Sequence, residues 1–192
     1  MRLHTSSGVV VTGDRWLAPA GAVDARVLAG LRGPVLDVGC GPGRHVRALL
    51  ERGVVALGID VTPQLVETAR ARGVDALHRS VFGRVPATGR WKTALLLDGN
   101  IGIGADPEAL LRRIGQLLAP GGTALVETAP PGTSEAVEEA HVELDGRRGP
   151  CFAWQAVAAD RLRPAAASAG MTHEVAWQDG GRWFARLGTT AA

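Results

Sequence analysis

Tyrosine is absent from this chain of 192 residues, lysine occurs once, at Lys92, and cysteine occurs twice. Cys40 and Cys151 lie more than a hundred positions apart, with neither a CxxC spacing nor a histidine at ligand distance, which excludes a zinc ribbon and a disulfide framework. Two reduced structural thiols and no metal are expected. No stretch approaches the roughly 18 apolar residues that would cross a bilayer, and residues 1–7 lack the apolar run of a signal peptide. The sequence therefore reads as a cytoplasmic protein with no membrane partner. Its 21 basic and 19 acidic residues are scattered along the chain, so there is no basic block that would track nucleic acid phosphates. No nucleic acid partner is expected. Repeats and low-complexity segments are also missing.

What is present is a hydrophobic fraction of 46%, enough for one well-buried core and too little chain for two independent units. The reading is a single domain over residues 1–192. It comprises an amino-terminal arm and helix (1–32), a core (33–128), an insertion (129–155) and a closing helix and hairpin (156–192).

Residues 22–31 carry Val23, Val27, Leu28 and Leu31 at helical spacing before Gly33-Pro34. From residue 34 the chain alternates. Short apolar strands end near Val38, Asp60, His78, Leu97 and Thr128, and helices cover about 44–52, 63–72 and 107–118. Thr62 and Asp106 stand as caps before Pro63 and Pro107. Strands joined by helices of about ten residues predict right-handed crossovers and a parallel sheet covered on both faces. The last third differs. Residues 141–144 and 151–154 flank a turn, a helix covers about 157–169, and two strands near 172–177 and 183–187 form a hairpin expected to add an antiparallel strand at the sheet edge.

In an open parallel sheet, ligands bind beyond the carboxyl ends of the strands, where strand order reverses. The loop Gly39-Cys40-Gly41-Pro42-Gly43 follows the first core strand, and its glycines let the backbone turn and approach a ligand. The helix after it presents its amino end to a negative group. Asp60, 21 positions after Gly39 at the next strand tip, is placed to accept ribose hydroxyls. Nicotinamide enzymes share this topology, and the glycines alone are compatible with ordinary turns. Asp37 separates the readings, because an acid two residues before the glycines suits a cationic amino group.

Residues 35–43, with Gly58-Ile59-Asp60 and Leu118-Ala119-Pro120-Gly121-Gly122, resemble the class I S-adenosylmethionine-dependent methyltransferase family over roughly residues 33–128. The resemblance implies an α/β fold, Rossmann-like and doubly wound. Its sheet would be seven-stranded and mostly parallel, with an antiparallel carboxy-terminal hairpin. It implies S-adenosyl-L-methionine as cofactor. Asp37, Gly39, Cys40 and Gly41 would line its methionine end, Asp60 would bind the ribose and Val61 would lie beside the adenine. Ser80, Val81 and Phe82 would bracket the adenine, and Asp98, Gly99 and Asn100 would lie beside the methyl group. Many relatives carry an acid after the third strand where this chain has Ser80. The loop from Asp98 also lacks the Asn/Asp-Pro-Pro-Tyr/Phe pattern of enzymes that methylate nucleic acid bases.

Methyl transfer from a sulfonium is an in-line displacement in which alignment supplies much of the rate, so a base is optional. Where one is used, histidine suits neutral pH, and His141, opening the inserted hairpin, is the candidate. Arg15 and Trp16 upstream of the first helix, and Trp154 in the insertion, are candidates to close over the acceptor. The expected acceptor is a small molecule and the expected assembly a monomer or homodimer. O-, N- and C-methylation stay open, as do a nucleoside-binding protein without transfer activity and a nicotinamide oxidoreductase.

Overall fold

The computed structural model describes residues 1–189. The chain opens with two short strands, β1 (Arg2–Thr5) and β2 (Val10–Thr12), and two short helices, α1 (Asp14–Leu17) and α2 (Ala22–Val27). The alternating core follows as β3 (Val35–Val38), α3 (Arg44–Leu50), β4 (Ala56–Asp60), α4 (Pro63–Ala71) and β5 (Ala76–His78). It continues through β6 (Trp91–Leu96), a 3₁₀ turn (Asn100–Gly102), α5 (Pro107–Leu117) and β7 (Leu118–Thr128). The last part comprises β8 (Val137–Leu144), β9 (Arg147–Arg148), β10 (Phe152–Gln155), α6 (Ala159–Ser168), β11 (Met171–Asp179) and β12 (Arg182–Thr189).

Seven strands form the main sheet in the order β11-β12-β7-β6-β3-β4-β5. All four residues of β3 are buried, because helices cover both faces of the sheet and leave no solvent side. The chain runs outward from β3 to β5 and then returns to β6 on the other side of β3. That reversal opens a crevice beyond β3 and β6, and it sets the loop after Val38 beside the loop after Leu97. On α5, Leu110, Leu111, Ile114 and Leu117 form the buried stripe, and the Asp106 carboxylate caps the helix by accepting from the Ala109 amide at 2.8 Å. Thr62 holds the corresponding position before α4 and makes no such side-chain bond.

The carboxy-terminal hairpin is present, with one difference from the expected edge addition. β12 pairs antiparallel with both β7 and β11, so it lies inside the sheet, and β11 at the edge runs parallel to the core strands. Trp177 stacks on Phe184 across this hairpin at 5.6 Å.

A second sheet, order β10-β8-β1-β2 with β9 on β8, was not expected. The inserted hairpin forms, with Phe152 opposite Ala140, but the amino terminus joins it, setting Leu3 opposite Val142 and His4 opposite His141. Four residues around Leu3 carry too short an alternation to announce a strand, and the partner lies about 140 positions away. Its inner face buries Val142 and Leu144 with Leu65 of α4, and Met1, Leu3 and Phe152 pack against them. Among the described residues, no helix is long and apolar enough to cross a membrane.

Candidate functional site

Between the strand tips of the large sheet and the inner face of the small one lies a pocket. Its floor is the loop after β3, where Gly39, Gly41 and Gly43 all have left-handed backbones, with φ of +70°, +54° and +83°. At Gly39 a Cβ would fall 2.7 Å from the Asn100 amide. Gly41 is buried, yet a Cβ there would meet nothing within 4 Å. That methyl would stand in the pocket, so glycine keeps the floor open. The loop amides point elsewhere. Gly39 and Cys40 donate to the Ile59 carbonyl, Gly41 to Asp60 and Gly43 to the Cys40 carbonyl. The loop thus offers a ligand a bare surface rather than a row of amide donors.

Asp60, at the tip of β4, accepts from the Gly41 amide at 2.9 Å through Oδ2 and from the Thr62 amide at 2.8 Å through Oδ1. Each oxygen keeps a lone pair, and the carboxylate lines the pocket in a fixed orientation. Its burial pushes its pKa above the usual carboxylate value against the pull of those amides. Val61 and the segment Ser80 to Phe82 line the same end. Arg113 of α5 ties this segment down by donating to the Val81 carbonyl at 3.0 Å and the Gly83 carbonyl at 2.8 Å. Phe82 remains 47% exposed at the rim.

Asp98 and Asn100 form the facing tip and also line the pocket, whereas Gly99 lies behind them. Asn100 donates to the Val38 and Gly39 carbonyls at 2.8 and 3.0 Å, stitching the two loops together. Asp98, at φ +56°, is held by arginines. Both its oxygens accept from Arg44 at 2.8 Å, Oδ1 accepts from Arg15 at 3.0 Å, and Arg182 stands 3.5 Å away. Behind it, Arg44 and Arg182 share Asp24, and Arg182 forks onto Glu127.

Asp37 does not reach the pocket wall. It is 1% exposed beneath the loop, with one oxygen 3.7 Å from His45 Nδ1. Burial opposes charge on that ring, but the Asp24 and Asp37 carboxylates, 3.5 and 3.7 Å away, outweigh it and hold the His45 pKa at about 9. Burial likewise disfavours ionised Asp24, and His45, Arg182 and Arg44 override it and depress its pKa. Sequence reasoning missed Asp24, Arg44, Glu127 and Arg182. Asp24 and Arg182 are 158 positions apart, and no local pattern marks such a pair.

Trp16 and Trp154 both reach the pocket wall, joined by Leu3, Val142 and Phe152 of the small sheet and by Met1 just before it. The Trp154 indole donates to the Gly99 carbonyl at 3.1 Å. Arg15 faces Asp98 rather than the pocket. His141 lies outside the pocket lining. Strand alternation turns Ala140, Val142 and Leu144 inward and His141 to the other face, where it stacks on His4 at 4.9 Å.

A family described as a methyltransferase domain matches residues 35–122, from the first residue of β3 into β7. A ubiquinone biosynthesis O-methyltransferase of Xanthomonas oryzae pv. oryzae is 33% identical over 115 residues, 55% of this chain and 46% of that protein. The crystal structure of a SAM-dependent methyltransferase from Bacteroides fragilis, in complex with S-adenosyl-L-homocysteine, superposes with a TM-score of 0.81 at 26% identity. That superposition covers 100% of this chain and 87% of the other. In its matched core and in its fold the chain is similar to class I S-adenosylmethionine-dependent methyltransferases.

It also resembles a trans-aconitate 2-methyltransferase of Paracidovorax citrulli, 28% identical over 118 residues, 59% of this chain and 45% of that protein. The chain spans about half the length of the curated relatives it matches. The family match ends at residue 122, so the small sheet's β8 to β10 and the closing hairpin lie outside it.

Proposed function

We propose that this chain is a methyltransferase that binds S-adenosylmethionine across the strand tips and transfers its methyl group in line to a small-molecule acceptor under the small sheet. The observation that carries this reading is the buried, open Gly41 beside the fixed Asp60 carboxylate, facing the Asp98 to Asn100 tip across one pocket. Asp60 accepts the ribose hydroxyls through its free lone pairs. Val61 with Ser80, Val81 and Phe82 brackets the adenine, and Gly39, Cys40 and Gly41 floor the methionine end. Asp37 supports that floor from below through His45. Arg44 lines the pocket and keeps its Nε–H buried with no partner among the described residues, a donor suited to the methionine carboxylate. When bound, the cofactor supplies a methyl group on a sulfonium. The chain's residues align the acceptor with it and exclude water.

Isothermal titration calorimetry with S-adenosylhomocysteine tests the reading, with micromolar binding expected and a loss of about tenfold or more in Asp60→Asn. A metabolite screen scored by methylated product then identifies the acceptor. Tight cofactor binding with no product from any acceptor supports a nucleoside-binding role instead, and binding of NAD alone supports an oxidoreductase.

A further inference from the structure

Among the described residues, the acceptor half of the pocket holds no side chain equipped to remove a proton. All five histidines lie outside its lining. His45 is buried in the first turn of α3, His4 and His141 stack on the outer face of the small sheet, His78 bonds the Val61 carbonyl at 3.0 Å, and His173 lies on β11. Tyrosine is absent, and Lys92 and Cys151 are not at the wall. Of the titratable side chains that do line it, Asp60 belongs to the ribose end and burial pushes the Cys40 thiol well up. Asp98 has both oxygens engaged by arginines.

Apart from Arg44, Arg79, Thr62, Ser80 and Asn100 at the strand tips, the remaining walls are aromatic and aliphatic. Trp154 is pinned to Gly99 beside the tip where the methyl group would be presented, and Phe152, Leu3 and Val142 close the roof. Trp16 contributes an indole whose Nε1–H is buried and has no partner among the described residues. Leaving such a donor unmatched is unfavourable, so an acceptor oxygen that reaches it is favoured. Flat aromatic walls favour a flat ring.

We infer, building on the methyltransferase reading above, that the acceptor is a flat, mostly apolar molecule whose reacting oxygen is already ionised at neutral pH, an electron-poor phenol or an enol, and that it accepts the Trp16 indole N–H. The acceptor loses its proton to solvent before it enters. Its oxygen lone pair then forms the O–C bond as the C–S bond breaks, the phenolate and sulfonium charges cancel, and no proton changes hands on the protein. A fully ionised carboxylate fits less well, because Arg44 is committed to Asp24 and Asp98, and Arg79, the other arginine of the lining, stands beside Ser80 at the adenine end.

The test compares 4-nitrophenol, 4-methylphenol, benzoate and benzyl alcohol as methyl acceptors across pH 6 to 9. An ordinary phenol, with a pKa of about 10, is ionised to about one part in a thousand at pH 7. The nitrophenol is expected to react at least about tenfold faster there, although its phenolate is the weaker nucleophile. For 4-methylphenol, kcat/KM should rise about tenfold per pH unit, following the acceptor's own ionisation. Benzyl alcohol should stay inert.

One pH profile shared by all acceptors, reporting the Met1 amine or any other protein group, overturns the inference, as does benzoate being the preferred acceptor. If S-adenosylhomocysteine binds but none of the four is methylated, the inference falls and the methyltransferase reading stands. If S-adenosylhomocysteine does not bind, both fall. Independently of turnover, binding of 4-nitrophenolate read by its absorbance shift should weaken about tenfold in Trp16→Phe, with S-adenosylhomocysteine affinity retained. Unchanged binding removes the role given to the indole.

Discussion

Arg182 meets Glu127 through two parallel hydrogen bonds, Nε to Oε1 at 2.8 Å and the terminal nitrogen to Oε2 at 2.7 Å. Oε2 also accepts the Asp98 amide at 2.6 Å, so a residue of the closing hairpin anchors a loop at the pocket wall. Arg182→Met leaves Glu127 and Asp24 partly uncompensated in a mostly buried place, which costs about 3–5 kcal/mol. Urea unfolding should show that loss, with part of it recovered in Arg182→Lys, which restores charge but not the fork. A variant as stable as the parent would mean that the lattice is energetically silent.

His45 gives the fold a pH dependence on the alkaline side. Its pKa is about 9 in the folded chain and about 6.5 in an unfolded one, so folding favours the protonated ring. That stabilisation is complete below about pH 6.5 and disappears as pH rises through 9. At about 1.4 kcal/mol per unit of pKa, the loss is of the order of 3 kcal/mol. Thermal unfolding between pH 6 and 9.5 should show Tm falling with pH, and His45→Gln should flatten the curve. A parent Tm rising over that range would contradict the assignment.

Gly41→Ala tests the open floor. The left-handed backbone at φ +54° adds about 1–2 kcal/mol of strain, and the methyl enters the pocket. Gly53→Ala is the control, since Gly53 has φ +72° and open surroundings in the exposed turn after α3, away from the pocket. Both variants should lose similar stability, and only Gly41→Ala should weaken S-adenosylhomocysteine, by about tenfold or more in calorimetry.

For Asp60→Asn the expected pattern is different. The amide side chain keeps one acceptor oxygen for the two backbone N–H groups but can no longer take both ribose hydroxyls. Adenosine-containing ligands should lose affinity, while competition experiments show methionine itself little affected.

His141 stacks on His4 at the outer face of the small sheet, so His141→Ala should leave kcat/KM on the true acceptor within about twofold. A loss of a hundredfold, the scale of general-base catalysis, would restore it as the base.

The core was legible because its signals are local. Val35-Leu36-Asp37-Val38 followed by glycines, Pro63 and Pro107 opening helices, and Asp60 at a strand tip each follow from steric or hydrogen-bonding rules spanning a few residues. By itself the sequence therefore determined the parallel half of the sheet, the open glycine floor and Asp60's place beside it. Tertiary structure decided the rest. Leu3 acquires its meaning as a roof residue only by pairing with Val142, and the strand period then turns His141 away from the pocket. Asp37, placed by local reasoning at the ligand, is held by β3 beneath the loop instead, where the buried carboxylate faces His45 at 3.7 Å. Asp24, Arg44, Glu127 and Arg182 meet only once three layers have packed, and no periodicity along the chain encodes the partner of a buried charge.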